Sequence, residues 1–433
     1  MASNGSIQVG LMGVGVVGGS VARALHEKAE SITAHVGRPI VLKRALVRDL
    51  RKPREALPGA VRLTASADDL LDDPEIDVII EVMGGEAPAL PYLRRAIEAG
   101  KHVVTANKEV MAKHGPSLLA EAAAQGVALR FEASVGGGIP IIGPLLTDLA
   151  ANEITAVNAI INGTTNYMLT CMADEGADYS EVLQQAQALG YAEADPSADV
   201  DGIDAAYKLA ILSSLAFRST VRDVDVYREG ISRLAPADFL YAAELGYVIK
   251  LLALGRVTDG EVQARVHPAF LPVSDPLAKV DGVFNAVELE GDLVGWAMFQ
   301  GPGAGARPTA SAVIGDLLDV ARSIALGGAT LRNPRLDRGL PVQRIDDLRT
   351  KYYIRLEAYD RPGVMANVAF TFGEMNVSLA SVIQKEIGGA VAEIVVTTHT
   401  AREASVQEAI ARLEALDTVR EVSNVVRIED GVA

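Results

Sequence analysis

The chain has 433 residues, 49% of them hydrophobic, which is room for two to four domains of roughly 100–200 residues and an extensive core. Its 56 acidic and 40 basic side chains leave a net charge of −16, which repels a phosphate backbone and argues against nucleic acid as a partner. The one cysteine, Cys171, excludes an intramolecular disulfide and a cysteine metal cluster, and fits a reduced, cytoplasmic setting. The first residues lack the basic and apolar regions of a signal peptide, and no apolar run reaches the roughly 18 residues of a membrane span. Neither secretion nor membrane insertion is expected.

An apolar run over 7–11 predicts the first strand, and 16–29 reads as a helix. Strands over 40–47, 77–82, 101–105 and 127–131 alternate with a helical turn over 68–71 and helices over 91–99 and 117–125. This alternation implies βαβ units, hence an α/β, doubly wound Rossmann-type parallel sheet over residues 1–130. Between the first strand and first helix lies Gly13-Val14-Gly15-Val16-Val17-Gly18. In that context Gly13 makes a tight turn, Gly15 lets backbone approach a pyrophosphate, and Gly18 permits close helix–strand packing. These six residues are candidate dinucleotide contacts, with the helix N-terminus facing the negative charge. Arg48 follows the second strand, with Asp49, Arg51 and Lys52 beside it. An arginine there accepts the 2′-phosphate of NADP, whereas Asp49 would take the ribose hydroxyls of NAD. NADP is the favoured cofactor and NAD stays open.

Residues 131–305 mix glycine- and proline-containing turns with longer helices and a few strands, which reads as a second, α+β domain. A helix over about 306–330 is expected to pack back on the first domain, and 331–350 reads as a linker. Over 351–433 the pattern is βαββαβ, the ferredoxin-like order, with strands over 352–359, 377–385, 390–397 and 422–428 and helices over 364–375 and 404–415. A helix over 203–217 puts Asp204 and Lys208 on one face. Two readings are open: a solvated ion pair worth a few tenths of a kcal/mol, or a proton donor lining a cleft. Asp195, Asp199 and Asp201 nearby suit either helix capping or a direct role. The six histidines show no paired metal-ligand spacing.

Four segments carry a resemblance to a known family: Val104-Thr105-Ala106-Asn107-Lys108; Phe131 to Pro140 with Gly136-Gly137-Gly138; Asn162-Gly163-Thr164-Thr165-Asn166; and Leu189-Gly190-Tyr191-Ala192-Glu193 through Asp204 to Lys208. With the glycine-rich start and Gly301 to Gly305, residues 7–330 resemble homoserine dehydrogenases, and 353–428 resemble the ACT domain. The resemblance implies interconversion of L-homoserine and L-aspartate 4-semialdehyde, within threonine, methionine and isoleucine biosynthesis, with 131–305 as the catalytic and dimerisation domain. It implies Lys208 as general acid and base, Asp204 as a substrate-orienting group, and Glu193 as holder of the substrate ammonium. Lys108 would be a second cation near the reacting oxygen and the cofactor. Gly163 and Thr164 would lie near substrate, and Gly190 and Gly305 near cofactor.

The resemblance also implies a structural sodium or other monovalent cation on Glu132 and the carbonyls of Val135, Gly137 and Ile139. In the tail it implies an effector site at Asp360, Gly363, Val364 and Asn376, with threonine as the expected ligand and a homodimer or homotetramer as the assembly. No kinase segment precedes the dehydrogenase pattern, so a monofunctional enzyme is expected. Two alternatives compete. A non-catalytic, cofactor-binding amino-acid sensor would not need Lys108, Asp204 and Lys208 together. An ACT-tailed dehydrogenase acting on prephenate or phosphoglycerate would lack the third and fourth segments.

Overall fold

The computed structural model describes residues 5–54, 57, 61–327, 333–388 and 391–431. The chain start, the end of the expected 306–330 helix, the first two residues of the expected linker and the last two of the tail lie outside the described residues. Among the described residues no helix is long and apolar enough to cross a membrane. The chain forms two compact units, each assembled from three stretches: Met1–Val157, Tyr207–Asp225 and Asn285–Leu340; and Asn158–Ala206, Val226–Phe284 and Pro341–Ala433.

In the first unit six parallel strands lie in the order Arg62–Thr64, Ile40–Leu46, Ile7–Met12, Val78–Glu81, His102–Thr105, Leu129–Arg130. The order reverses between Ile7–Met12 and Val78–Glu81, the switch point where such sheets take ligands. Val78–Glu81 is buried throughout, which is why it reads as a continuous apolar run and not an alternating one. Ile7, Val9 and Leu11 pack with Val21 and Leu25 of the helix Val16–Glu27 and with Val313, Leu317 and Val320 of the helix Ala306–Ala325. Two expectations needed revision. The first helix ends at Glu27, and a separate helix, Ala29–Val36, follows. The helix expected at 117–125 starts at Lys108, because the Asn107 side chain accepts the Val110 N–H. Pro116 lies inside this helix, and with Gly115 it resembles a helix start.

In the second unit the strands Tyr247–Thr258 and Glu261–Pro272 pair over their full length around Asp259 and Gly260. Both turn residues have positive φ, 54° and 82°, the geometry of a tight type I′ turn. The tail strands lie in the order Val419–Ile428, Arg349–Tyr359, Val391–Thr398, Leu379–Gly388, all antiparallel, as a ferredoxin-like sheet requires. The helices Val364–Glu374 and Glu403–Glu414 share one core with this sheet, through Val368, Phe372, Val406 and Leu413. The tail is not a separate bead. Val419–Ile428 pairs in parallel with Glu261–Pro272 at Ala269–Arg427 and Phe270–Ile428. The helix Pro236–Glu244 is joined to the tail sheet through Asp238, which is fully buried and bonded to Arg355, Tyr353 and Asn424.

Candidate functional site

The first unit carries the features of a dinucleotide cradle. Gly13 has φ of +96°, and a Cβ at Gly18 would lie 2.0 Å from the Gly13 carbonyl oxygen, so no side chain fits there. At Gly15 nothing stands within 4 Å of a Cβ position. Gly15 caps the 12-residue helix Val16–Glu27, whose N-terminus has no side-chain cap and no acidic residue in its first turn. Open space, free backbone N–H groups and the positive end of the helix dipole together fit a pyrophosphate. Val14, Val16 and Val17 complete this turn, with Val16 75% exposed. Arg48 and Asp49 are both exposed past the second strand, where the Asp49 carboxylate accepts the Arg51 N–H at 2.8 Å.

Lys108 is the first residue of its helix and is exposed. A polar network that sequence reasoning missed holds it there. Glu81 is fully buried at its strand end and accepts the Thr105 hydroxyl at 2.6 Å and the Met83 N–H at 2.7 Å. Thr105 in turn accepts the Asn107 N–H at 3.0 Å, and the Asn107 amide donates to the Gly85 carbonyl at 2.7 Å. Burial pushes the Glu81 carboxyl above its ordinary pKa, against the pull of these bonds. The available signal was a carboxylate closing the apolar run Val78-Ile79-Ile80.

The second glycine-rich segment packs against the last one. A Cβ on Gly137 would lie 2.3 Å from the Gly303 carbonyl oxygen. Gly305, with φ of +123°, caps the helix Ala306–Ala325. Glu132 does not offer a free carboxylate: it accepts the N–H groups of Ile141, Ile142 and Gly143 at 2.7, 2.9 and 2.6 Å. It thereby caps the short helix Ile142–Leu146, and three N–H groups leave room on the carboxylate for one more partner. The Glu132 N–H donates to Asp316 at 2.8 Å. Burial raises the Asp316 carboxyl to about 8, with Glu132 repelling its charge and Arg130 favouring it. A carboxyl whose pKa is higher folded than unfolded binds more protons in the native state, so stability falls as pH rises from about 4 to about 8 and levels off above. Asp316→Asn should remove that loss: its melting temperature should exceed that of the parent at pH 8–9 and match it near pH 4. Equal melting curves at both ends would refute the assignment.

The second unit carries the substrate-type residues. Asn162 caps the helix Gly163–Glu175, its Oδ1 accepting the Thr165 N–H at 2.9 Å. Its amide nitrogen donates to Asp199 at 2.7 Å and to Asp204 at 2.9 Å, so one side chain ties two carboxylates together. The Thr164 hydroxyl donates to the Tyr191 carbonyl at 2.8 Å, and the rings of Tyr167 and Tyr191 lie 5.0 Å apart. These contacts hold the loop that carries Glu193, whose carbonyl accepts from Gln187 and which is itself exposed. Gly190 ends the helix Tyr179–Ala188 with φ of +77°, which by itself accounts for a glycine. Asp195 is an exposed local cap for Ser197, and Asp201 is exposed. Of the three uncertain acids, only Asp199 joins the Asn162 cluster.

Asp204 and Lys208 lie one turn apart on the helix Ile203–Ala216, at 4% and 8% exposure. That burial removes the solvated ion-pair reading, because two charged groups out of water demand fixed partners. In the tail, Asp360, Gly363 and Val364 stand at the start of the helix Val364–Glu374, whereas Asn376, with φ of +56°, follows its other end. An 11-residue helix is about 16 Å long, so a single chain does not gather these four residues.

Three family models match this chain: the homoserine dehydrogenase NAD-binding domain over residues 13–132, the homoserine dehydrogenase domain over 140–318, and the ACT domain over 352–418. The homoserine dehydrogenase of Neisseria gonorrhoeae is 42% identical over 430 residues, 98% of each chain, and that of Mycobacterium tuberculosis H37Rv is 45% identical over 435 residues, again 98% of each. A crystal structure of a homoserine dehydrogenase from Thiobacillus denitrificans superposes with a TM-score of 0.93 at 45% identity, covering 98% of each chain. A hyperthermophilic archaeal homoserine dehydrogenase in complex with NADPH superposes with a TM-score of 0.61 at 26% identity, covering 73% of this chain and 97% of that one.

Proposed function

Because the chain belongs to the homoserine dehydrogenase family and ends in an ACT domain, we propose that it interconverts L-homoserine and L-aspartate 4-semialdehyde with NADP, under control of an amino acid bound by the ACT domain. The observation that carries the reaction is the buried Asp204–Lys208 turn, with Asn162 holding Asp204 against Asp199. The dinucleotide supplies the hydride. Lys208 hands a proton to the oxygen of the aldehyde as it is reduced, and takes it back in the reverse direction. Asp204, held by Asn162, fixes the substrate, and exposed Glu193 faces its ammonium. Lys108, presented by Glu81, Thr105 and Asn107, adds positive charge beside the reacting oxygen.

Exposed Arg48 and the NADPH complex of the archaeal relative support NADP over NAD. Arg48→Ala should raise the KM for NADP by about 10- to 100-fold, the worth of one charge-assisted contact, and leave that for NAD unchanged. Equal effects on both cofactors would refute a 2′-phosphate role. A structural monovalent cation is part of the proposal, held by Glu132 and the carbonyls of Val135, Gly137 and Ile139. Threonine is the proposed effector; Asp360, Gly363 and Val364 of one copy would meet Asn376 of another, which makes a homodimer or homotetramer its requirement. A cytoplasmic location follows from the cofactor and substrate. The test is nicotinamide absorbance of the purified full chain with L-homoserine and either cofactor. Homoserine-dependent reduction supports the reading. Folded protein that binds dinucleotide and does not turn over would sink it in favour of a sensor.

A further inference from the structure

We infer that Arg427, on the last strand of the ACT domain, is a positioning residue for the substrate loop and acts through Glu229. The inference rests on the proposal that Asp199 and Asp204 belong to the homoserine site.

Arg427 is 2% exposed. Its Nε and one terminal nitrogen donate to the two oxygens of Glu403 at 2.9 and 2.7 Å, a bidentate pair inside the ACT domain. Tyr352 donates a hydroxyl to the same Glu403 at 2.8 Å. The guanidinium is therefore fixed relative to its own domain, and its other terminal nitrogen reaches out to Glu229 at 2.9 Å. Glu229 also receives the Tyr227 hydroxyl, and its N–H donates to the Val266 carbonyl at 2.8 Å.

The next two residues press on the turn that leads into the Asp204 helix. A Cβ on Gly230 would lie 2.4 Å from the Val200 carbonyl oxygen and 2.9 Å from the Asp201 Cα. The Ile231 N–H donates to that same Val200 carbonyl at 2.9 Å. On the other side of the turn, a Cβ on Gly202 would lie 3.1 Å from a Val266 methyl and 3.5 Å from the Glu229 carbonyl. The turn Val200-Asp201-Gly202 is thus held between Glu229–Ile231 and Val266. It joins Asp199 to Asp204, the two carboxylates that Asn162 bonds. Glu229 thus bears on the turn that spaces these two carboxylates.

A cleft of about 560 Å³ opens beside this link, lined by Asp201, Glu229, Gln407 and Arg427 among others. Side chains do not fill the space between the ACT helix and the loop there. The Arg427–Glu229 bond crosses it, with Arg427 also donating to the Tyr227 hydroxyl at 3.3 Å, so polar contacts of one guanidinium carry the coupling there.

Glu229→Gln is the first test, in the full chain, because the Glu229 side chain is 35% exposed and Arg427 keeps its bidentate pair with Glu403. The KM for homoserine should rise about fivefold or more, with kcat and the KM for NADP within about twofold, the signature of lost substrate positioning. Gly230→Ala should give a larger rise, since its new methyl strikes the Val200 carbonyl. The effects of Arg427→Gln and Glu229→Gln on that KM should be less than additive, because they share one bond, while the loss of the Glu403 pair in Arg427→Gln is read separately as a lower melting temperature. A Glu229→Gln protein that melts like the parent and keeps the parental KM for homoserine overturns the link. A parent chain that does not oxidise homoserine at all overturns the reading of the site on which the link rests, a distinct and separately visible failure.

Discussion

Lys208→Ala is expected to lower kcat by about 10²–10⁴-fold, the usual worth of a positioned general acid or base. The lysine is 8% exposed and stands one helical turn after Asp204, so water does not replace its proton easily. Lys208→Arg should fail nearly as badly: the guanidinium keeps the charge but does not release a proton near neutral pH. Affinity for the dinucleotide should survive both changes, since the Gly13–Gly18 turn lies elsewhere on the chain. Steady-state kinetics with homoserine, together with dinucleotide titration by fluorescence, check this. An alanine variant within threefold of the parental kcat would remove Lys208 from the chemistry and leave Lys108 as the candidate donor.

The largest stability effect should come from Asp238, which no sequence pattern singled out. Its carboxylate has no exposure and accepts from the Ala235 N–H at 2.9 Å, Arg355 Nε at 2.8 Å, the Tyr353 hydroxyl at 3.1 Å and the Asn424 amide at 2.7 Å. Burial opposes the charge on Arg355, but Asp238 and Glu393 outweigh it and hold the guanidinium firmly protonated. Asp238→Ala strips one of two carboxylates from a buried cation and orphans three further donors, the Ala235 N–H, the Tyr353 hydroxyl and the Asn424 amide. Breaking such a pair costs about 3–5 kcal/mol, seen as a fall of several degrees or more in melting temperature. Asp238→Ala combined with Arg355→Met and Glu393→Gln should recover part of that loss, because neither the guanidinium nor its second carboxylate is then left uncompensated. If the triple variant melts lower than the single one, the cost lies in packing against the ACT sheet and not in the stranded arginine.

Local chemistry written into the chain determined much of this protein. The strand runs at 7–11 and 77–82, the glycines at 13, 15 and 18, and the βαββαβ spacing of the tail each follow from short-range rules of period, turn and cap, so they are legible one segment at a time. Four segments, at 104–108, 131–140, 162–166 and 189–208, with the glycine-rich start carry the family resemblance. Tertiary structure alone decided the rest. Whether Asp204 and Lys208 form a solvated pair or a buried one depends on burial, which four-residue spacing does not encode. That Asn162 ties Asp199 to Asp204, that Glu132 spends its carboxylate on three backbone N–H groups, and that Gly137 abuts Gly303 are contacts between residues far apart or competing for one acceptor. The same holds for the tail. Its internal pattern is local, but its joining to the Glu261–Pro272 strand and to Asp238 and Glu229 pairs residues more than 100 positions apart. Such contacts are fixed by chain folding and by the need to satisfy buried charge, and neither leaves a periodic trace in the sequence.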